Sequence, residues 1–461
     1  QPQQIQKNYD DDAYQIALFR RCDTMPTFPG HWAGISGSIE MNEDTNPMDA
    51  AVRELREETN LGELVDEYHG DGKSKKMLDL RKYMKQGLHV DVSSNRSKGE
   101  FGGRIIRVYP FALTLPGYSG PVNKEVIDET ATSQTSSDLW SKLEMKGTEH
   151  DQMEWITIGD FLEMTEPCVP LLKLAFHHAT SGSYLELPKE IRTWENDRVN
   201  GAAFLAKEAV KLAADHTNTN TGNELNAQNN DSGNNPTIPL SIAMLRSSMV
   251  PIVNIMNEFD RRVYSLGEDS KAVRDQLLES LGADAESCVE RGVETILRYV
   301  TENPSCSTNR EFVVGTFSRS STMKSILRRV LGILEEQQTS STSQLILKVL
   351  CSRSTPGDEG GLMASDIPDA ECLADKLFME QIKQGKIHLV LVGADCILPG
   401  GNGVVNKVGT ASLARVCKQF NVPIVCCADK WKLWEDIYPP GLEDIFELVP
   451  SELLNRVIVG G

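Results

Sequence analysis

Three glutamates, Glu54, Glu57 and Glu58, stand at i, i+3 and i+4 within GSIEMNEDTNPMDAAVRELREETNL, residues 37–61. At about 100° per residue they share roughly one quadrant of a helix, while Met48, Ala51, Val52 and Leu55 form an adjoining apolar stripe. One side of such a helix docks on a core and the other faces a site. Hydrolysing a phosphoanhydride requires cancelling charge on phosphate oxygens and orienting a water, and hard carboxylate oxygens select Mg²⁺ or Mn²⁺ for both tasks. The spacing points to a divalent cation held against a diphosphate. A solvated acidic helix face with ordinary i,i+4 pairs is the alternative for a run such as RELREE.

The elements that must position these carboxylates are legible around them. Asn46 reads as the N-cap, with Pro47 at the first helical position and Asp49 in the first turn. Asn60 reads as a left-handed residue just past the helix end. Gly37 turns the loop that leads in.

These residues resemble the Nudix box, in which Gly, five residues, Glu and seven residues precede Arg-Glu-hydrophobic-x-Glu-Glu-x-Gly-hydrophobic. Gly37, Glu43, Arg53, Glu54, Leu55, Glu57, Glu58 and Leu61 match. Nine residues rather than seven separate Glu43 from Arg53, and Asn60 replaces the final Gly; both residue types tolerate positive φ. The resemblance implies an α/β/α Nudix fold that hydrolyses a nucleoside diphosphate linked to another moiety. It makes Glu54, Glu57 and Glu58 the metal carboxylates and pairs Arg53 with Glu43 to hold the loop on the helix. Glu149, in TEHDQMEW before an expected strand, is either an extra metal ligand or base, or an exposed loop glutamate.

The chain is longer than one such module. With 461 residues and 40% hydrophobic content it holds two or three cores of ordinary size. A formal charge of −19 opposes unaided nucleic-acid binding, because phosphate contacts need a positive face. No apolar run reaches spanning length, which argues against integral membrane insertion. Ten cysteines without CxxC or metal spacing suit reduced thiols in an intracellular compartment, cytoplasmic or, given a start at Gln1 rather than Met, organellar after trimming.

The tract His216–Pro236, HTNTNTGNELNAQNNDSGNNP, has no aromatic residue and almost nothing to bury, and reads as a flexible linker. The expected organisation is a first domain over 1–215 closed by the helix GAAFLAKEAVKLAADH, the linker over 216–236, a helical subdomain over 237–305 and a Rossmann-like parallel-sheet domain over 306–461. Within the first domain, QIALF and RIIRVYPFALTL read as strands, and the polar excursions 69–103 and 119–147 as loops that set substrate choice. In the last, EFVVGTF, LILKVLC, HLVLVGAD and VPIVCCA alternate with helical segments, the pattern of a parallel sheet covered on both faces.

Ligands collect at the carboxyl ends of such strands. Ser318 and Arg319, Ser352 and Arg353, Asp395, and Lys430 and Lys432 stand there, and Asn406 and Lys407 are expected to open a helix whose amides favour an anion. Together they suit a sugar phosphate, although polar strand ends are common in any α/β protein.

The segment GADCILPGGNGVVNKVGTASLA is similar to the signature of the family that joins the α/β/δ subunits of translation initiation factor 2B to methylthioribose-1-phosphate and ribose-1,5-bisphosphate isomerases. The likeness runs from about residue 240 to the end. It implies Asp395 as the acid/base carboxylate, Asn406, Lys407 and Lys432 on phosphate or sugar hydroxyls, and Arg353 as the arginine of the family's Arg-Pro…Glu-Gly loop. It also implies pairing into a homodimer or larger homo-oligomer. Isomerases of this family carry cysteine where this chain has Ser318, and a hydroxyl, titrating far above a thiol, is a poor proton carrier near neutral pH. Binding of a sugar phosphate or nucleotide is therefore expected without isomerisation. The competing class is a regulatory or scaffolding protein related to initiation factor 2B subunits, which senses a nucleotide or sugar phosphate without turnover.

Overall fold

The computed structural model describes residues 15–61, 80–93, 105–113, 143–169, 171–185, 187–197, 200–219, 236–302, 311–338, 346–355, 357–439 and 445–461. The chain divides into two compact units, Gln1–Leu185 with Ala227–Pro236, and Glu186–Asn226 with Thr237–Gly461. The body of the expected linker, 220–235, and most of the expected substrate loops, 69–79, 94–103 and 119–142, lie outside the described residues.

In the first unit, β1 (Gln15–Arg21) lies between β2 (Trp32–Ala33) and β7 (His150–Thr157) in an antiparallel sheet. Two smaller antiparallel pairs join β3 (Met84–Gln86) to β6 (Phe111–Leu113) and β4 (Val90–Ser93) to β5 (Ile105–Val108). Pro110 falls between β5 and β6, splitting the expected RIIRVYPFALTL strand in two, because proline has no N–H for a ladder.

Helix α1 spans Pro47–Glu58 and starts as its sequence dictates: the Asn46 side chain accepts from the Asp49 amide at 3.1 Å and Pro47 opens the first turn. Ala50 and Val52 are buried, and Val52 joins a core of Leu61, Leu80 and Leu143, with Leu55, Met84, Met153 and Trp155 packed on it. The helix end differs from expectation. Thr59 is extended (φ −138°), and Asn60 is held by strand-like bonds instead of a left-handed turn: its amide donates to Glu144 O (3.1 Å) and its side chain accepts from the Glu144 amide (2.8 Å). A chain that leaves the helix extended has no need of glycine at that point.

The second unit begins earlier than the sequence suggests. The Ala202–Thr219 helix does not close the first domain; it packs on the Val250–Asp260 and Ser270–Glu302 helices of the second. Leu205, Ala206, Ala209, Val210, Ala213 and Ala214 on it are fully buried. A face of alanines lets the backbones approach closely, and that apolar burial holds the helix there.

The core of the second unit is a six-stranded parallel sheet in the order β10 (Glu371–Leu373), β9 (Ile346–Ser352), β8 (Glu311–Phe317), β11 (Leu389–Val392), β14 (Ile424–Asp429) and β16 (Arg456–Gly460). One face packs on the Ser270–Glu302 and Ser321–Gln338 helices through residues such as Ile296, Ile326 and Leu327. The other packs on the Asp375–Lys383 and Thr410–Gln419 helices through Phe378, Ile382, Leu413 and Cys417. The expected runs are the four central strands, β8, β9, β11 and β14, which are apolar because both faces are covered. The short edge strands and a small antiparallel sheet, β12 (Cys396–Ile397), β13 (Val404–Lys407) and β15 (Phe446–Val449), are additions. Among the described residues no helix is long and apolar enough to cross a membrane, and the described cysteines form no disulfide, most of them being buried.

Candidate functional site

In the first unit the loop before α1 and the helix itself are locked by Arg53. Its guanidinium donates to Asp44 Oδ2 (2.9 Å), Glu54 Oε1 (2.7 Å) and Ser38 O (2.7 Å), and reaches Glu57 Oε2 at 3.4 Å. The expected partner, Glu43, is exposed; Asp44, the next residue, is buried and takes its place. Arg53 and the Glu40 amide hold the Asp44 carboxyl below its ordinary range. Gly37 lies directly on Glu54: a Cβ built at Gly37 would stand 1.8 Å from the Glu54 carboxyl carbon, so no other residue fits with Glu54 where it is. Burial pushes the Glu54 carboxyl above its ordinary range, and Arg53 works against that rise.

The three helix carboxylates have different surroundings. Glu57 is exposed, Glu54 is half-buried beside Arg53, and Glu58 is 7% exposed. His150 Nδ1 lies 3.1 Å from Glu58 Oε2 without the alignment of a hydrogen bond, so neither Glu58 oxygen has a hydrogen-bond partner. Glu149, the other candidate, is exposed just before β7; its neighbour His150 is the residue turned to the helix. Among the described residues no three His, Cys, Asp or Glu side chains converge into a ready-made metal cage. The chemistry of the donors nonetheless fits a hard cation: a buried carboxylate with both oxygens unsatisfied is costly unless something positive meets it.

In the second unit the strand ends gather a polar cluster. Ser318 comes directly after β8 with φ +65°, its amide donating to Ser354 Oγ (2.6 Å) and its hydroxyl to Glu359 Oε2. The same Glu359 oxygen pairs with Lys407 Nζ at 2.9 Å. Ser354 (φ +62°) and Asp358 (φ +52°) sit in the same strained loop, which Asp375 anchors by accepting from the Ser352 hydroxyl (2.7 Å) and the Ser354 (2.7 Å) and Thr355 (2.9 Å) amides. Burial raises the Asp395 carboxyl against the pull of Lys432, which donates to Ala394 O beside it; nearby Glu359 raises it further. Ser318, Glu359, Lys407, Asp395 and Lys432 therefore share one neighbourhood.

The other candidates differ from expectation in their surroundings. Asn406 and Lys407 end strand β13 rather than opening a helix, and Asn406 Nδ2 is buried without a partner. The helix they were expected to open starts at Thr410, and its amides already hold an anion: Gly409 N and Ala411 N donate to Glu447 Oε1 at 2.7 and 2.8 Å. Arg353 is exposed and paired with Asp358 at 3.2 Å, Arg319 with Asp366 at 3.3 Å, and Lys430 with Asp284 at 3.0 Å. Ser352 is fully buried, part of the scaffold. Sequence reasoning missed Asp44, His150, Glu359 and Glu447. The Glu-Gly of SRSTPGDEGG was a signal for Glu359; the other three carried none.

The model of the Initiation factor 2 subunit family matches residues 199–457, more than half of the chain. The chain belongs to that family. Its match begins near the start of the Ala202–Thr219 helix, within the second unit. The NUDIX domain model matches residues 9–89, so a Nudix domain precedes the family region. Similar curated proteins are a ribose 1,5-bisphosphate isomerase of Methanocaldococcus jannaschii, 31% identical over 111 residues (23% of this chain, 35% of the relative), and a methylthioribose-1-phosphate isomerase of Nostoc sp., 46% identical over 113 residues (19% and 32%). The chain thus spans about a third of the length of these relatives. Among solved structures, the Pyrococcus horikoshii translation initiation factor eIF-2B aligns over 59% of this chain and 95% of its own at 19% identity and a TM-score of 0.43. The 5-methylthioribose 1-phosphate isomerase of that organism aligns over 59% and 82% at 15% identity and 0.42.

Proposed function

We propose that the chain hydrolyses a nucleoside diphosphate linked to another moiety, of the ADP-ribose kind, at a Mg²⁺- or Mn²⁺-dependent site on α1. The observation that carries this is Glu58: a carboxylate buried at the end of the Nudix helix with both oxygens unsatisfied. Glu54 and Glu57 complete the acidic face, and Arg53 with Asp44 fixes the loop that frames it. A divalent cation bound by these carboxylates would cancel phosphate charge and supply an acidified water. The protein's own part is to hold Glu54 under Gly37 and to keep Glu58 dry, so that both are oriented before substrate arrives.

For the second unit the reading is a sugar-phosphate or nucleotide site that binds without isomerising, on a homodimeric or larger scaffold. Ser318 Oγ is engaged by Glu359, and the described thiols beside Asp395, those of Cys396 and Cys426, are buried, which pushes both up to about 12 and makes them poor proton carriers. Lys407 and Lys432 supply the positive charge, with Asp395 between hydroxyl-binding and acid/base roles. That pairing supports the regulatory reading for this unit, with the Nudix domain producing what the second unit senses.

The test is product release from a panel of nucleoside diphosphate sugars, dinucleotides and nucleoside triphosphates, with Mg²⁺, with Mn²⁺ and with chelator. Metal-dependent cleavage of a diphosphate-linked compound supports the reading; absence of turnover across the panel would leave the Nudix domain a binding module.

A further inference from the structure

His150 faces the buried Glu58 carboxylate, yet the carboxylate chemistry of α1 assigns it no role. It opens β7, and the β1–β7 register shifts between Arg20 and Arg21: Asp151 is the extra residue on β7, so that His150 instead of Asp151 stands opposite Arg21. A bulge re-aims the side chains beside it. The imidazole is 2% exposed, packs against Phe19 with ring centroids 5.6 Å apart, and brings Nδ1 to 3.1 Å from Glu58 Oε2. Its Nε2 is buried without a partner.

Two roles are open to an imidazole in this place, ligand or support. Nδ1 is turned to Glu58, which leaves Nε2, on the far side of the ring, facing away from the carboxylate. A hard cation also prefers oxygen to imidazole nitrogen. Carboxylates that bind metals are commonly fixed by a hydrogen bond to one oxygen, which leaves the other directed at the ion. Nδ1 and Oε2, 3.1 Å apart, already lie within hydrogen-bond distance.

We propose that His150 is a positioning residue: through Nδ1–H it holds Glu58 Oε2 and so presents Oε1 to a divalent cation. The inference rests on the metal-dependent reading of α1 and adds to it a residue more than ninety positions away in sequence. His150 makes no contact with substrate in this account.

The test is Mn²⁺ titration of the full chain, monitored by the electron paramagnetic resonance signal of free Mn²⁺, with the site of interest defined as the one lost in Glu58→Gln. His150→Asn places an amide N–H near Nδ1, whereas His150→Gln places it near Nε2; both bury a neutral amide, and His150→Phe serves if the Gln variant does not fold. The expected result is that His150→Asn binds within about threefold of wild type, while His150→Gln or His150→Phe binds roughly 10- to 100-fold more weakly. Equal affinity in all variants, or equal loss in Asn and Gln, overturns the positioning role while leaving the metal site standing. A wild-type chain without an Mn²⁺ site removable by Glu58→Gln overturns the underlying reading itself.

Discussion

Arg53 Nη2 lies 2.9 Å from Asp44 Oδ2, and the Asp44 side chain is 3% exposed, while Glu43 beside it points to solvent. The loop is therefore fastened to α1 one residue later than the box pattern implies. Asp44→Asn should lower turnover about tenfold or more through misplaced carboxylates, with a modest loss of stability, and Glu43→Gln should leave turnover within about twofold. Steady-state kinetics on both variants check this; the reverse ranking would return the role to Glu43.

Two buried histidines in the first unit contribute to the pH dependence of stability. Burial lowers both His177 and His178 to about 4, and His178 Nδ1 lies 2.9 Å from Leu88 O. Both are neutral in the fold, whereas in the unfolded chain they take up protons below about 6.5. Stability should accordingly fall as pH drops from about 6.5 to 4, by up to about 3 kcal/mol per histidine, and be flat on this account above 6.5. Denaturant titrations at pH 7 and 4.5 measure it, and His177→Phe should remove about half of the slope. A pH-independent midpoint would show that these groups titrate alike in both states.

Fragment boundaries are a third test. Because the Ala202–Thr219 helix is buried on the second unit, a fragment of residues 187–461 should fold, whereas residues 237–461 should lose several kcal/mol and aggregate. Light scattering on the longer fragment should give the mass of a dimer or larger closed oligomer. A well-folded 237–461 fragment would show that the helix is dispensable, and a monomeric 187–461 fragment would refute the scaffold.

Ligand binding at the second unit separates Lys407 from Arg353. Ribose 5-phosphate, ribose 1,5-bisphosphate or AMP should give heat on titration into the 187–461 fragment. Lys407→Ala should weaken binding roughly tenfold to a hundredfold, a loss of about 1.5–3 kcal/mol. Exposed Arg353, already paired with Asp358, should matter less than about threefold when changed to Ala. No heat with any of the three at millimolar concentration would leave the unit a scaffold.

The features legible in the sequence are those that short-range chemistry determines. Asn46 before Pro47 sets the start of α1, and of its apolar stripe Val52 is buried and Leu55 packs on the same core, whereas Ala50 and Glu58, outside the stripe, are buried as well; unbroken apolar runs identify the four central strands because both faces of the sheet are covered. The features that were not legible depend on distant partners. Nothing in residue type says which of adjacent Glu43 and Asp44 turns inward, nor that His150 will meet Glu58 or Glu447 cap a helix from a strand later in the chain. The polar tract after Thr219 has the composition of a domain boundary, yet the helix before it belongs to the second unit, since the order of elements along the chain does not fix which core they share.

If the α1 carboxylates carry a metal-dependent hydrolysis, Glu58→Gln should abolish most of it. The change keeps the shape of a buried side chain and removes its charge. Measured with Mg²⁺ on the substrate that the wild-type chain cleaves, kcat should fall by about 10²-fold or more with the fold intact, because a charged metal ligand has been removed. Wild-type turnover in Glu58→Gln, with the fold intact, would show that Glu58 holds no catalytic metal.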